Sequence, residues 1–78
     1  MSAKVRVLYF GAAQEIAGKA DEELTARDTA SLRREILDRY PAMRNISFRM
    51  AVNMTLLREE SDLRDNDLIA ILPPFQGG

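Results

Sequence analysis

The sequence has 78 residues with 11 basic and 12 acidic side chains, no histidine, no cysteine and a formal net charge of −1. One domain of this length has a modest core, which leaves little room for a deep substrate pocket and argues against a self-contained enzyme. The composition excludes disulfide bonds, thiolate metal sites and histidine general bases, so we expect no metal site, and the balanced charge does not favour nucleic-acid binding.

The N-terminal segment KVRVLYF, residues 4–10, is β-branched and aromatic and predicts the first strand. Alternation places Val7 and Tyr9 on one face of this strand. Arg6 marks the opposite face as the outer one, and Phe10 shares that face. We therefore expect the apolar side chain of Phe10 on the solvent-facing side of the sheet.

The next segment, GAAQEIAGK, is bracketed by Gly11 and Gly18 and predicts one helical turn. A short second strand is predicted over residues 22–25. The acidic residues at 21–23 suit the solvated edge of a sheet, where charge discourages pairing with other chains.

The clearest helix is predicted in DTASLRREILDRYP. Asp28 or Thr29 can cap its N-terminus, and Pro41 disfavours helical geometry at the preceding residue and so ends it. Its apolar stripe at helical spacing consists of Leu32, Ile36, Leu37 and Tyr40.

The remaining elements are a third strand in SFRMAVN, a short fourth strand in MTLL, a turn in DLRDND and a last strand in DLIAIL. Five consecutive apolar residues, 68–72, predict a central strand that is buried on both faces. The order β-β-α-β-(β)-β is typical of the β-grasp, or ubiquitin-like, roll. We expect an α+β domain over residues 1–78, with a mixed sheet of four to five strands and one main helix on one face.

Residues 73–78, PPFQGG, predict an extended tail. Pro73 and Pro74 cannot donate to the sheet and favour a stiff exit. The extended tail reaches about 20 Å. Gly77 and Gly78 have no side chains, so they can pass where protein walls approach the backbone closely. The reactive group at the tip is the α-carboxylate of Gly78.

The face assignment also groups Phe10, Leu56 and Leu72 on the sheet surface that the helix does not cover. A contiguous apolar patch there would mark a protein interface. The alternative is that the twist of the strands buries these side chains.

The stretch AVNMTLL…LRDNDLIAILPPFQGG, together with KVRVLYFGAAQEIAG near the start, resembles the small sulfur-carrier subunit of molybdopterin synthase, the MoaD-like family. The resemblance implies that an E1-like adenylyltransferase uses ATP to adenylate the Gly78 carboxylate. A sulfur donor then converts the acyl-adenylate to a thiocarboxylate. The carrier binds no cofactor and carries its sulfur covalently at Gly78.

The same resemblance implies that the carrier docks on the large synthase subunit, in a heterotetramer, and supplies sulfur to cyclic pyranopterin monophosphate. Phe10, Leu56 and Leu72 fall where family members contact that partner. The arm that threads into the partner's active site consists of Pro73, Pro74, Phe75, Gln76 and Gly77. Catalytic groups are expected on the large subunit.

Three alternatives remain open from the sequence. The chain could carry sulfur for thiamine or tRNA thiolation, or it could modify proteins through Gly78 as ubiquitin does. With only Lys4 and Lys19, chain-building on itself is disfavoured. The third alternative is a β-grasp binding module with an incidental tail.

Arg6 also interrupts the first apolar segment, which is too short for the core of a signal peptide. No run approaches the roughly 20 apolar residues of a membrane span. We expect a cytoplasmic protein that binds neither membranes nor nucleic acid.

Overall fold

A five-stranded mixed sheet frames the protein in the computed structural model, which describes residues 2–74. The strand order is β2-β1-β5-β3-β4. The first and last strands pair in parallel at the centre, and the other neighbours are antiparallel. This confirms the β-grasp roll that the element order predicts. The strands are β1 Ala3–Tyr9, β2 Asp21–Ala26, β3 Arg49–Val52, β4 Thr55–Leu56 and β5 Leu68–Leu72.

The main helix, α2, spans Thr29–Arg39. Asp28 is its N-cap, because the backbone N–H of Ser31 donates to Asp28 Oδ1 at 2.8 Å. The helix ends where the sequence predicts, and Pro41–Asn45 continues as a 3₁₀ turn. That turn lies in a stretch without a recognisable motif.

The other helix, α1, spans Gly11–Ala17 and is longer than the single turn that the sequence predicts. Gly18 adopts the left-handed conformation at φ 74 and its N–H bonds to the carbonyl of Gln14, so this glycine caps the helix at its C-terminal end. The two bracketing glycines therefore mark a complete short helix.

The core lies between the helices and one face of the sheet. Tyr9, Ile69 and Ile71 are almost completely buried there, as are Leu32 and Ile36 from the stripe of α2. Met43, from the 3₁₀ turn, is also fully buried. The remaining members of this core, at most 7% exposed, are Ala3, Val5, Val7, Ala13, Leu24, Ala26, Met50 and Leu63.

The central position of β5 in the sheet is confirmed. The prediction that this strand is buried on both faces is wrong. Ile69 and Ile71 point into the core, whereas Leu68 is 37% exposed and Leu72 is half-buried. The physical reason is that the helices cover only one face of the sheet, so an uninterrupted apolar strand places half of its side chains on the uncovered face.

Candidate functional site

The uncovered face of the sheet, called here the outer face, is the candidate site. At the end where the chain leaves the sheet, Arg49 of β3 pairs directly with Leu72 of β5. Phe10 follows the last residue of β1, and its N–H donates to the carbonyl of Ile71 at 3.2 Å. The register therefore places Phe10, Leu72 and Arg49 in one row across the sheet.

A second row crosses the middle of the outer face. Leu8 of β1 pairs with Ala70 of β5, which pairs with Ala51 of β3, and Ala51 pairs with Leu56 of the edge strand β4. Leu56 is 41% exposed and Phe10 in the first row is 42% exposed.

The predicted grouping of Phe10, Leu56 and Leu72 on one surface is thus confirmed. Their contact with a partner stays a prediction. Leu68 lies on the same face and was not part of the predicted group. Strict alternation with the buried Ile69 would have placed Leu68 on the outer face as well.

The charges around the outer face differ between its two sides. On the β1–β2 side, Arg6 Nη1 lies 2.9 Å from Asp21 Oδ1, and its Nη2 lies 3.8 Å from Glu23 Oε1. Lys4 also lies 3.7 Å from Glu23. On the β3 side, no carboxylate within residues 2–74 forms an ion pair with Arg49. The outer face therefore carries one positive charge without an ion-pair partner among these residues, next to the exit of the tail.

The start of the tail leaves the sheet over α1. Gly11 has φ 56, and a Cβ built there would lie 3.7 Å from Cγ of Pro73, so the proline ring sits against this glycine. Pro73 and Pro74 also line an apolar groove of about 350 Å³ together with Phe10, Ala12, Ala13, Ile46, Ser47 and Phe48. The predicted proline exit is thus packed on the body of the domain. Phe75, Gln76, Gly77 and Gly78 lie outside the described residues, so their roles stay predictions.

A polar cluster lies on the other side of the sheet. The hydroxyls of Tyr9 and Tyr40 each donate to Glu22 Oε2 at 2.6 Å, and Lys19 Nζ lies 3.5 Å from Oε1. The interpretation of Glu22 as a solvated edge residue is wrong, because this side chain is only 11% exposed. The sequence does contain a signal for this burial, because Glu22 alternates with Leu24, which points into the core.

The cluster has a structural role. Burial, and then the hydrogen bond to Glu22, raises the pKa of Tyr9 above its ordinary value. Partial burial of Glu22 opposes its ionisation, but the hydrogen bonds from Tyr40 and Tyr9 outweigh that effect and hold its pKa below the ordinary value. A carboxylate that is already ionised and phenols that stay neutral do not exchange protons near pH 7. The cluster therefore ties β1, β2 and the end of α2 together.

Within residues 2–74, a metal-binding cluster and a membrane-spanning helix are both absent. No three acidic side chains in this part of the chain come together as a group able to hold a metal ion. None of its helices has the length and apolar character needed to cross a membrane.

The fold, the apolar outer face and the packed proline exit define a ubiquitin-like protein of the β-grasp type. The model of the ThiS family matches residues 7–78. The chain belongs to the ThiS family. Two curated proteins with the name molybdopterin synthase sulfur carrier subunit align with nearly all of it. The protein from Caenorhabditis briggsae is 35% identical over 95% of this chain and 96% of its own. The protein from Chlamydomonas reinhardtii is 30% identical over 96% and 99%.

Solved structures agree with this assignment. The small archaeal modifier protein 1 of Methanosarcina acetivorans superposes with a TM-score of 0.87 at 26% identity, over 100% of this chain and 99% of that one. A complex of subunits 1 and 2 of the molybdopterin-converting factor of Helicobacter pylori contains a chain with a TM-score of 0.72 at 27% identity, over 100% of both chains.

Proposed function

We propose that the protein is the sulfur-carrier subunit of molybdopterin synthase in molybdenum cofactor biosynthesis. The observation that carries the proposal is an exposed apolar sheet face that runs to a packed proline exit, in a chain whose full-length relatives bear that name. A carrier needs a recognition surface and a protruding terminus. It does not need a pocket of its own, because partners supply the catalytic groups.

In the proposed cycle, a carboxylate oxygen of Gly78 attacks the α-phosphorus of ATP on an E1-like partner, and pyrophosphate leaves. Sulfur at the oxidation level of sulfide then attacks the acyl carbon, and AMP leaves, which gives a thiocarboxylate. A donor that carries persulfide sulfur must also receive two electrons, which a thiol can supply. In the synthase the sulfur passes to cyclic pyranopterin monophosphate, and water returns the acyl carbon to a carboxylate.

The tail has a separate task in this proposal. Pro73 and Pro74 direct it away from the sheet, and Phe75 and Gln76 supply its length and grip. Gly77 and Gly78 let the carboxylate reach the floor of a narrow site. The uncharged arm also suits a site that holds an anionic phosphorylated substrate, because an added negative charge there would be repelled.

The outer face is the proposed docking surface for the large synthase subunit. Apolar side chains at the centre of a protein interface contribute most when they are fully desolvated on binding. Phe10, Leu56 and Leu72 are exposed or half-buried in the free chain and would be covered in the complex. The Helicobacter pylori complex supports a partner of this kind. We propose a heterotetramer in the cytoplasm, with no cofactor bound by the carrier itself.

The mass of the intact chain purified from its own cells tests the proposal. We expect a species in which one oxygen is replaced by sulfur, located at Gly78 by fragmentation. The matched control is the chain that lacks Gly78, which should fold with an unchanged melting temperature and never gain sulfur. Sulfur loading of the shortened chain, or its absence from the full chain with an active E1-like enzyme, would contradict the proposal.

A second candidate is a ubiquitin-like protein modifier. It is favoured by the superposition on small archaeal modifier protein 1. A modifier would leave Gly78 in amide linkage to lysines of other proteins, which the same mass spectrometry would detect. Replacing Lys4 and Lys19 by arginine would leave such adducts on other proteins intact.

Carriers for thiamine or tRNA thiolation share the Gly78 chemistry and are compatible with the ThiS family match. They differ in the acceptor of the sulfur. The thiocarboxylated chain should form molybdopterin with a large synthase subunit and the pterin precursor, and transfer to thiazole or tRNA instead would favour these carriers.

A further inference from the structure

The turn between β3 and β4 holds a residue that neither the fold nor the proposed function explains. Val52 pairs with Thr55, so Asn53 and Met54 form a two-residue hairpin connection. Both have positive φ, 50 and 73 respectively. The second position of such a turn is usually glycine, because a Cβ disfavours the left-handed conformation. Met54 is nevertheless there, with 92% of its surface exposed.

The turn is held firmly by the start of β5. The N–H of Asn53 donates to the carbonyl of Leu68 at 2.7 Å, and the N–H of Leu68 donates to Asn53 Oδ1 at 2.8 Å. Asn53 Nδ2 also donates to Asp67 Oδ1 at 2.9 Å. These bonds fix the backbone of the turn and so hold Met54 in its unfavourable conformation. A side chain presented from a fixed backbone loses less entropy on binding than one on a mobile loop.

The turn lies at the far end of the outer face from the tail. Because β3 and β5 are antiparallel, Val52 pairs with Ile69 at this end and Arg49 pairs with Leu72 at the other. The four steps of β5 from Leu68 to Leu72 span about 13 Å. Leu68 is exposed at the turn, and Ala70 and Leu72 are half-buried on the same face, so a strip of apolar side chains extends along β5 from the tail exit to the hairpin.

We infer that Met54 is a second anchor for the large synthase subunit, which covers the outer face from the tail exit to this hairpin and buries the thioether in an apolar pocket. The inference rests on the proposed function. Its basis is that Met54 has an exposed apolar side chain and a backbone conformation that is unfavourable for a residue with a Cβ. The stability of the free chain therefore does not explain why methionine occupies this position. Continuity with the outer face indicates the same partner.

Three variants separate binding from folding. Met54→Asn keeps a residue that tolerates positive φ and removes the apolar side chain. Met54→Gly relieves the backbone, although its greater freedom in the unfolded state offsets part of that gain. Met54→Leu keeps the apolar side chain and is the matched control.

The measurement is the Kd of each variant for the large synthase subunit encoded by the same genome, by calorimetry, together with its melting temperature. We expect Met54→Asn and Met54→Gly to bind about tenfold more weakly, as the loss of a buried methionine contact predicts. Their melting temperatures should be unchanged or higher. Met54→Leu should bind within about twofold of the parent chain.

Two outcomes would overturn the inference. One is Met54→Asn binding like the parent chain, while Leu72→Arg on the same face binds weakly; the proposed function would then stand without the second anchor. The other is a parallel loss of affinity and melting temperature, which would make Met54 a structural residue. If the parent chain itself does not bind the large subunit, both the inference and the proposed function fail. The mass of the intact chain then shows whether Gly78 still carries sulfur.

Discussion

The two faces of the sheet are built from alternate residues of the same strands, yet they differ in what covers them. In β5, Ile69 and Ile71 are completely buried by the helices, whereas Leu68 is 37% exposed and Leu72 is half-buried. All four are large and aliphatic, so composition alone does not distinguish the faces. The comparison shows that large aliphatic side chains of this small domain lie either in the core or on an uncovered surface, and that the placement of the helices decides which.

The largest expected effect is a difference in stability between variants at two adjacent residues of β5, one on each face of the sheet. Ile71→Ala should lower the free energy of unfolding by about 3 kcal/mol, because it leaves a cavity in the core. Leu72→Ala should lower it by less than about 1 kcal/mol, because Leu72 is only half-buried, while it weakens binding to the large subunit. Urea unfolding of the two variants checks the first effect. Equal destabilisation would mean that the outer face belongs to the core.

The second effect concerns the polar cluster of the covered face. Glu22→Gln should lower the free energy of unfolding at pH 7 by about 2 kcal/mol, because two phenol donors lose a charged acceptor. The folded-state pKa of Glu22 is below its ordinary value of 4.5. Its contribution is therefore present above about pH 4.5 and disappears as the pH falls through the folded pKa.

Urea unfolding of the parent chain and Glu22→Gln between pH 7 and pH 3 checks this prediction. The difference between them should narrow at the acid end. Glu23→Gln is the matched control, since Glu23 lies on the exposed side of the same strand, and should change stability by less than about 0.5 kcal/mol. A difference that is independent of pH would contradict the assigned role of the charge.

The smallest effect concerns the charge on the outer face. Arg49→Glu should weaken binding to the large subunit by about 1 kcal/mol, mainly through a slower association rate, and added salt should reduce the difference. Arg34→Glu makes the same charge change on the exposed side of α2 and should bind like the parent chain. Equal effects of the two variants would show that only net charge matters.

The sequence was sufficient to predict the β-grasp order of the elements and the placement of Phe10, Leu56 and Leu72 on one face of the sheet. Alternation in β1, with Arg6 on one side and Val7 on the other, is enough to identify the outer face. Pro41 and Pro73 mark where the helix and the sheet end. These signals are local, and local backbone preferences decide them.

What the sequence did not predict depends on contacts between distant segments. The pairing of Glu22 with two tyrosines requires α2, β1 and β2 to be placed together first. The exposure of Leu68 in β5 was also missed, because a run of apolar residues looks the same whether a helix or a partner protein covers it. The positive φ of Met54 was missed because its turn does not have the usual glycine.

In the proposed function, the outer face docks on a synthase partner and so delivers a sulfur-bearing terminus to it. The most direct test is to mix the thiocarboxylated chain with the large synthase subunit and cyclic pyranopterin monophosphate and to measure molybdopterin. We expect molybdopterin formation by the parent chain, and a large loss for a thiocarboxylated Leu72→Arg chain that remains folded. No product from the parent chain with a partner active toward its own carrier, or full activity of Leu72→Arg, would contradict it.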